Sequence, residues 1–279
     1  MKKEIVFIAD FFVNDINGGG ESNDNNLINH LRKNNNVQCF RSNNISIENL
    51  IKSDVVIVGN FVGLPEEIKS FLIKNKKYII YEHDHKYVNT RDPSKFYNFE
   101  IPKKNIINKN FYEEAHTVVV LSKICKETLN KNIPKANVHS IGCSLWTKQR
   151  LELLLKLSEI EKIKSLCILN SSNPTKNTAS TVKYCNDNNL SYEAIHNPSP
   201  SEFVKQMSQF EKFLFIPTVL ETFSRVCAEA KMMNLQVMTN KKLVGFFSED
   251  ISNLSGKQLI NEIFKRNANA LSFFDEVIK

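Results

Sequence analysis

"KFLFIPTVLETFSRVCAEAKMM", Lys212 to Met233, reads as one strand followed by one helix. The run from Phe213 to Ile216 is short and wholly apolar, and Pro217 ends it, because proline has no N–H for a neighbouring strand. Beyond the turn, Val226, Ala230 and Met233 recur at i, i+4 and i+7, the spacing of a buried helix face. Thr222 or Ser224 stands where a side chain can cap that helix. A strand apolar on both faces, feeding an amphipathic helix, is half of a βαβ unit and predicts a parallel sheet covered by helices.

The alternation continues outward from this stretch. "LCILNSS" (166–172), "YEAIHN" (192–197) and "QVMTN" (236–240) are strands of the same half. In the other half, "EIVFIAD" (4–10), "DVVIVGN" (54–60), "KYIIYEHD" (77–84) and "HTVVVLS" (116–122) are short apolar strands. Helical segments such as "NDNNLINHLRKNN" (23–35) and "LPEEIKSFLIKNK" (64–76) lie between them. A long helical stretch, "QRLELLLKLSEIEKIK" (149–164), separates the halves. The sequence therefore predicts an α/β chain of two Rossmann-type, doubly wound domains facing a cleft. The first covers 1–146, the second, shorter one 147–255, and a helical segment over 256–279 returns to the first. Ligands of such sheets bind beyond the carboxyl ends of the strands.

Composition narrows the class. Of the 279 residues 42% are apolar and 24% charged, a globular balance that excludes a disordered chain. No stretch approaches the roughly 20 uncharged apolar residues needed to span a bilayer. The start "MKKEIVFIADFFVND" is broken by Glu4 and Asp10 and lacks a small-residue cleavage site, so it reads as a first strand and the chain as cytoplasmic. Six scattered cysteines without C-x-x-C give neither a disulfide framework nor zinc-ligand spacing. A net charge of +7 suits nucleotides, phosphates, nucleic acid or peripheral contact with an acidic membrane, and equally a solvated basic surface.

The strand ends hold the polar residues that matter. Three of only eight glycines fall together at Gly18–Gly20 in "NDINGGGESND", where backbone turns sharply or approaches a ligand. Such a loop beside a helix start can cradle a phosphate, or it is simply flexible; its spacing is not that of a nicotinamide site. In "YEHDHKY", His83, Asp84 and His85 leave a strand end, where they can bond a sugar hydroxyl or phosphate, bind metal, or merely cap the strand. No third metal ligand set and no D-x-D accompany them. "LNSSNPTKNTA" offers Ser172 as a donor and Lys176 at a helix start, a place that favours a cation only if an anion is bound. Glu221 and Glu229, eight positions apart, read singly as a favourable acid near a helix start and as an i, i+4 partner of Arg225.

Together these pieces resemble a known family. "PTVLETFSRVCAEAKMMNLQVMTNKKLVG" (217–245) is similar to the E-x7-E segment of retaining GT-B glycosyltransferases, above all glycosyltransferase family 4. The glycine loop with Glu21, the His83–Asp84 pair, "VVVLSKICKETL" (118–129) and Lys176 follow in the family's order. The resemblance implies that Glu229 holds the donor's ribose hydroxyls and that Glu221 lies beside the donor sugar. The N–H groups of Thr222, Phe223 and Ser224 would stand near sugar and diphosphate, with Ser172 on the donor side. Lys176 would neutralise the diphosphate, Gly19 and Gly20 would approach it, and His83 would contact the transferred sugar. Glu21, Asp84 and His85 fall on the acceptor side. It further implies a metal-independent hexosyl transfer, without cofactor, from a UDP- or GDP-sugar to a glycan, lipid-linked or other hydroxyl acceptor. The family's arginine shortly before the lysine is missing, since "NSSN" stands there, and "IGCSL" (141–145) replaces a common Asn-Gly turn. Two alternatives fit the same residues: a catalytically weak nucleotide-sugar-binding protein, and a protein acting on nucleic acid.

Overall fold

The computed structural model describes residues 2–16 and 18–279; Met1, and Asn17 of the glycine loop, lie outside the described residues. The chain divides into two compact units, Met1–Trp146 with Asn267–Lys279, and Thr147–Arg266.

The first unit is built from β1 (Glu4–Ala9), α1 (Gly19–Leu31), β2 (Asn36–Arg41), α2 (Ile47–Ile51), β3 (Val55–Val58), α3 (Glu66–Asn75), β4 (Tyr78–Tyr81), α4 (Lys109–Glu113), β5 (Thr117–Val120), α5 (Lys123–Asn132) and β6 (Val138–Ser140). Its six strands are all parallel, in the order β2-β1-β3-β4-β5-β6. Every residue of β3, β4 and β5 is buried, which is why these strands are the plain apolar runs of the sequence. Burying one such Val or Ile contributes roughly 1.5–3 kcal/mol relative to exposure. The outer strands β2 and β6 are more polar, "NVQCFR" and "VHS", and were not among the strands expected from apolar runs. An edge strand has less surface to bury, so its apolar pattern is weak.

The second unit contains α6 (Lys148–Ser158), β7 (Lys164–Leu169), α7 (Thr178–Asp187), β8 (Glu193–Ile195), α8 (Pro200–Met207), β9 (Phe210–Phe215), α9 (Arg225–Met232) and β10 (Gln236–Thr239), followed by α10 (Gly256–Val277). The sheet is parallel, in the order β10-β9-β7-β8, around Leu166, Ile168, Cys185 and Leu214. The helix expected over 149–164 ends early. Ile163 and Lys164 both donate to the Gln209 carbonyl at 3.0 Å, so the strand captures the end of that segment.

The unit boundary falls inside α10, and the residues from Asn267 onward belong to the first unit. Asn267 clamps the Trp146 backbone: its Oδ1 accepts from the N–H (3.1 Å) and its Nδ2 donates to the carbonyl (2.8 Å). Phe274 packs edge-on against Tyr81, and Phe273 stacks on His139 at 3.7 Å. None of the six cysteines is in a disulfide. Among the described residues no helix is long and apolar enough to cross a membrane.

Candidate functional site

In the second unit the chain enters the sheet at β7, steps to β8 at one side, and returns past β7 to β9. The carboxyl ends of β7 and β9 are therefore the topological switch point, where the two departing loops part and leave room for a ligand. The loop after β7 carries Lys176 and the loop after β9 carries Glu221. The lysine Nζ lies 2.7 Å from Glu221 Oε1 and over the Phe215 ring. Both loops are held from behind: Asn177 Nδ2 donates to the Ile216 carbonyl at 3.0 Å, and the Glu221 backbone is bonded to Leu243 and Gly245, each at 2.9 Å. Phe223 is buried edge-on against Phe246.

Ser224 stands at the N-cap position of α9 with φ 67°, in the left-handed region, and its side chain makes no capping bond. The expected hydroxyl cap is thus absent at Ser224, because the left-handed backbone turns the side chain away from its position in an ordinary cap. Glu229, in the middle of α9, is buried. Its carboxylate receives Arg150 Nε at 3.1 Å and Nη2 at 2.6 Å, and Arg225 Nη2 lies farther off, at 3.7 Å. The i, i+4 pairing is present, but the principal partner is Arg150 of α6.

In the first unit the switch point lies at the ends of β1 and β3, with β4 beside them. His83 Nε2 meets Asp24 Oδ1 at 2.7 Å, and both side chains are buried. A Cβ placed on Gly20 would stand 3.5 Å from His83 Cβ and Cγ and 3.6 Å from Asn60 Nδ2, so α1 begins in contact with both. Glu21, in the first turn of α1, has its pKa raised, chiefly by burial and further by Asp24 and Asp84, against the lowering effect of its own backbone N–H and of His83. Asp84 pairs with Arg91 at 2.8 Å near the surface. His85 is buried at φ 52°, with its Nδ1 3.2 Å from the Tyr87 hydroxyl. Beneath this end lies a buried ion pair, Glu82 Oε1 with Lys86 Nζ at 2.7 Å. Burial alone would raise the Glu82 pKa. The Lys86 charge and hydrogen bonds from Lys86, Tyr112 and the Asp84 N–H outweigh burial and hold it at about 2.

No protein-family model matches this chain, and no curated protein matches it significantly. Solved structures do. A glycosyltransferase from Rickettsia africae is 12% identical with a TM-score of 0.60, over 100% of this chain and 99% of its own. HepE of Anabaena, solved with UDP and glucose, is 11% identical with a TM-score of 0.59, over 98% and 100%. An α-glucosyltransferase in complex with UDP and a 13-mer DNA containing a HMU base is 10% identical with a TM-score of 0.54, over 98% and 91%. The chain has the GT-B fold.

On that GT-B framework the sequence-derived residues fall into separate clusters. Lys176 and Glu221, far apart in sequence, are brought into contact, with Thr222, Phe223 and Ser224 leading into α9. Glu229 is paired instead with Arg150 and Arg225. Ser172 is exposed on the loop before Lys176. Gly20, Glu21 and Asp84 gather around His83, Gly19 is exposed at the start of α1, and His85 turns inward. Among the described residues no group of three or more His, Cys, Asp or Glu is placed to hold a metal ion. Sequence reasoning missed Arg150, Asp24, Asn60, and the Glu82–Lys86 pair. The last had a faint signal, opposite charges four positions apart in a polar stretch bounded by apolar runs, "YIIYEHDHKYV".

Proposed function

We propose that this protein is a retaining, metal-independent glycosyltransferase that moves a hexose from a nucleotide-diphosphate sugar, such as a UDP- or GDP-sugar, to a hydroxyl acceptor. The observation that carries the reading is the Lys176–Glu221 pair at the switch point of the second unit, with Glu229 in α9, the helix that follows Glu221. A leaving diphosphate needs a cation and helix-start N–H groups; the departing sugar needs a carboxylate beside it. Lys176 and the Thr222–Ser224 turn supply the first, and Glu221 the second. Glu229 takes the ribose hydroxyls. The second unit is then the donor side. The first, with His83 against the sugar and Glu21 and Asp84 near the acceptor, is the acceptor side.

In the reaction the bond from the sugar's anomeric carbon to the diphosphate breaks, and a bond to the acceptor oxygen forms on the same face. The acceptor proton passes to an oxygen of the leaving diphosphate, whose growing charge Lys176 stabilises. Glycosyltransferase neighbours solved with UDP support the donor class.

Calorimetry with nucleoside diphosphates, together with a donor-hydrolysis assay, tests this reading. Glu229→Gln should weaken nucleotide and nucleotide sugar alike, since ribose is common to both. A wild-type protein that binds no nucleoside diphosphate would sink the proposal. A second reading, a nucleic-acid acceptor, is favoured by the DNA-bound neighbour and the net charge of +7. It requires DNA or RNA binding that weakens steeply with salt.

A further inference from the structure

Arg150 holds Glu229 by a fork rather than by a single contact. Its Nε donates to Oε1 at 3.1 Å and its Nη2 to Oε2 at 2.6 Å, so each carboxylate oxygen receives an N–H from the same planar guanidinium. Such a side-on match fixes the plane of the carboxylate as well as its position. The fork is itself anchored, because Nη1 donates to the Pro200 carbonyl at 3.0 Å. Three helices of the second unit therefore meet at one guanidinium: Arg150 lies in the first turn of α6, Pro200 opens α8, and Glu229 lies in the second turn of α9. A helix that follows a strand of a parallel sheet begins at that strand's carboxyl end, so the starts of α8 and α9 lie at the ligand-binding edge of this sheet. The contact thus stands at the same end of the sheet as the Lys176–Glu221 pair.

Stability does not account for this arrangement. With 14% and 7% side-chain exposure, both charges have lost most of their hydration, and a buried ion pair often contributes no more than an apolar pair of equal volume. What the fork supplies is a carboxylate kept charged and held in one plane. A ribose presents two adjacent hydroxyl donors, and an ionised carboxylate only accepts. A plane set in advance therefore favours the diol over a sugar that lacks these hydroxyls, since no ordering remains to be done on binding.

We propose that Arg150 is a positioning residue of the donor site: its fork sets the Glu229 carboxylate for the 2′- and 3′-hydroxyls of the nucleotide and makes the site select a ribose diol over a deoxyribose. This rests on the glycosyltransferase reading, in which Glu229 takes the ribose. It adds the residue that orients that carboxylate and the class of nucleotide that follows from it.

The test is calorimetry on the full chain with UDP, GDP and their 2′,3′-dideoxy forms. The wild type should bind its preferred ribonucleotide roughly tenfold or more tightly than the dideoxy form, the worth of a hydrogen bond to a charged group. Arg150→Lys keeps the charge and removes the fork. It should weaken the ribonucleotide roughly three- to tenfold and leave the dideoxy form unchanged, so that the preference shrinks. Adding Arg150→Met to Glu229→Gln should cost nothing further, because substitutions that act through one group are not additive. That double variant removes both charges and decides the matter if Arg150→Lys fails to fold. Three results overturn the assignment and leave the glycosyltransferase reading standing: wild-type affinities in Arg150→Lys, equal weakening of both nucleotide forms, or a further loss in the double variant. So does a wild type indifferent to the ribose hydroxyls. A wild type that binds neither UDP nor GDP overturns both.

Discussion

Lys176 and Glu221 neutralise each other at 2.7 Å, and a diphosphate bound as proposed would compete with Glu221 for the ammonium. The two substitutions should therefore act in opposite directions. Lys176→Ala should weaken a nucleoside diphosphate by about 1.5–3 kcal/mol, the worth of a charge-assisted bond, and spare the nucleoside. Glu221→Gln should tighten the nucleoside diphosphate roughly two- to fivefold, because a partly exposed pair is worth at most about 1 kcal/mol, while turnover falls. Calorimetry beside steady-state kinetics distinguishes these outcomes; parallel losses in both variants would mean the pair does not handle the diphosphate. The buried carboxylate of Glu82 makes a different prediction. Its folded pKa of about 2 lies below the ordinary 4.5, so its stabilising contribution is complete above pH 4.5 and is lost as the pH falls towards 2. Acid titration of wild type and Glu82→Gln, followed by unfolding, should show the variant less stable at neutral pH and flatter across that window. Equal slopes would remove Glu82 as a source of acid lability.

At the scale of elements, the legible parts were those whose burial is symmetrical. The central strands β3, β4, β5 and β9 are apolar at most positions because helices cover both faces, and the α9 face declared itself through its spacing. The edge strands β2 and β6 carried no such pattern. The Arg150–Glu229 bond was illegible for another reason: its partners are 79 residues apart, and nothing local to α6 marks Arg150 as facing α9. Lys176 and Glu221 were each visible as strand-end residues, but their contact depends on strand order, which a single sequence does not display. The left-handed Ser224 likewise follows from tertiary anchoring, since Phe223 is pinned by Phe246 on one side and α9 is fixed on the other. That conformation costs a side chain with a Cβ roughly 1–2 kcal/mol. Ser224→Gly should accordingly be neutral or stabilising by up to about 1 kcal/mol, and Ser224→Val should destabilise by about 1–2 kcal/mol, measured by denaturant unfolding. A destabilising glycine would show that the serine hydroxyl contributes more than its backbone strain costs.

For the whole molecule, the reaction proposed here relies on lysine and backbone N–H groups for charge stabilisation. Chelator should consequently leave donor hydrolysis largely unchanged, and loss of activity restored by manganese or magnesium would contradict that. The clamp of Asn267 on Trp146 has a further, practical consequence. Trp146 is the only tryptophan of the chain and is 2% exposed. It is therefore a built-in optical probe, and its emission reports a single location. Loosening of the final residues from Asn267 onward releases the Trp146 backbone, and a red shift of its emission is the expected outcome. Fraying of this C-terminal return can thus be followed in the unlabelled protein, separately from the global loss of helix seen by circular dichroism.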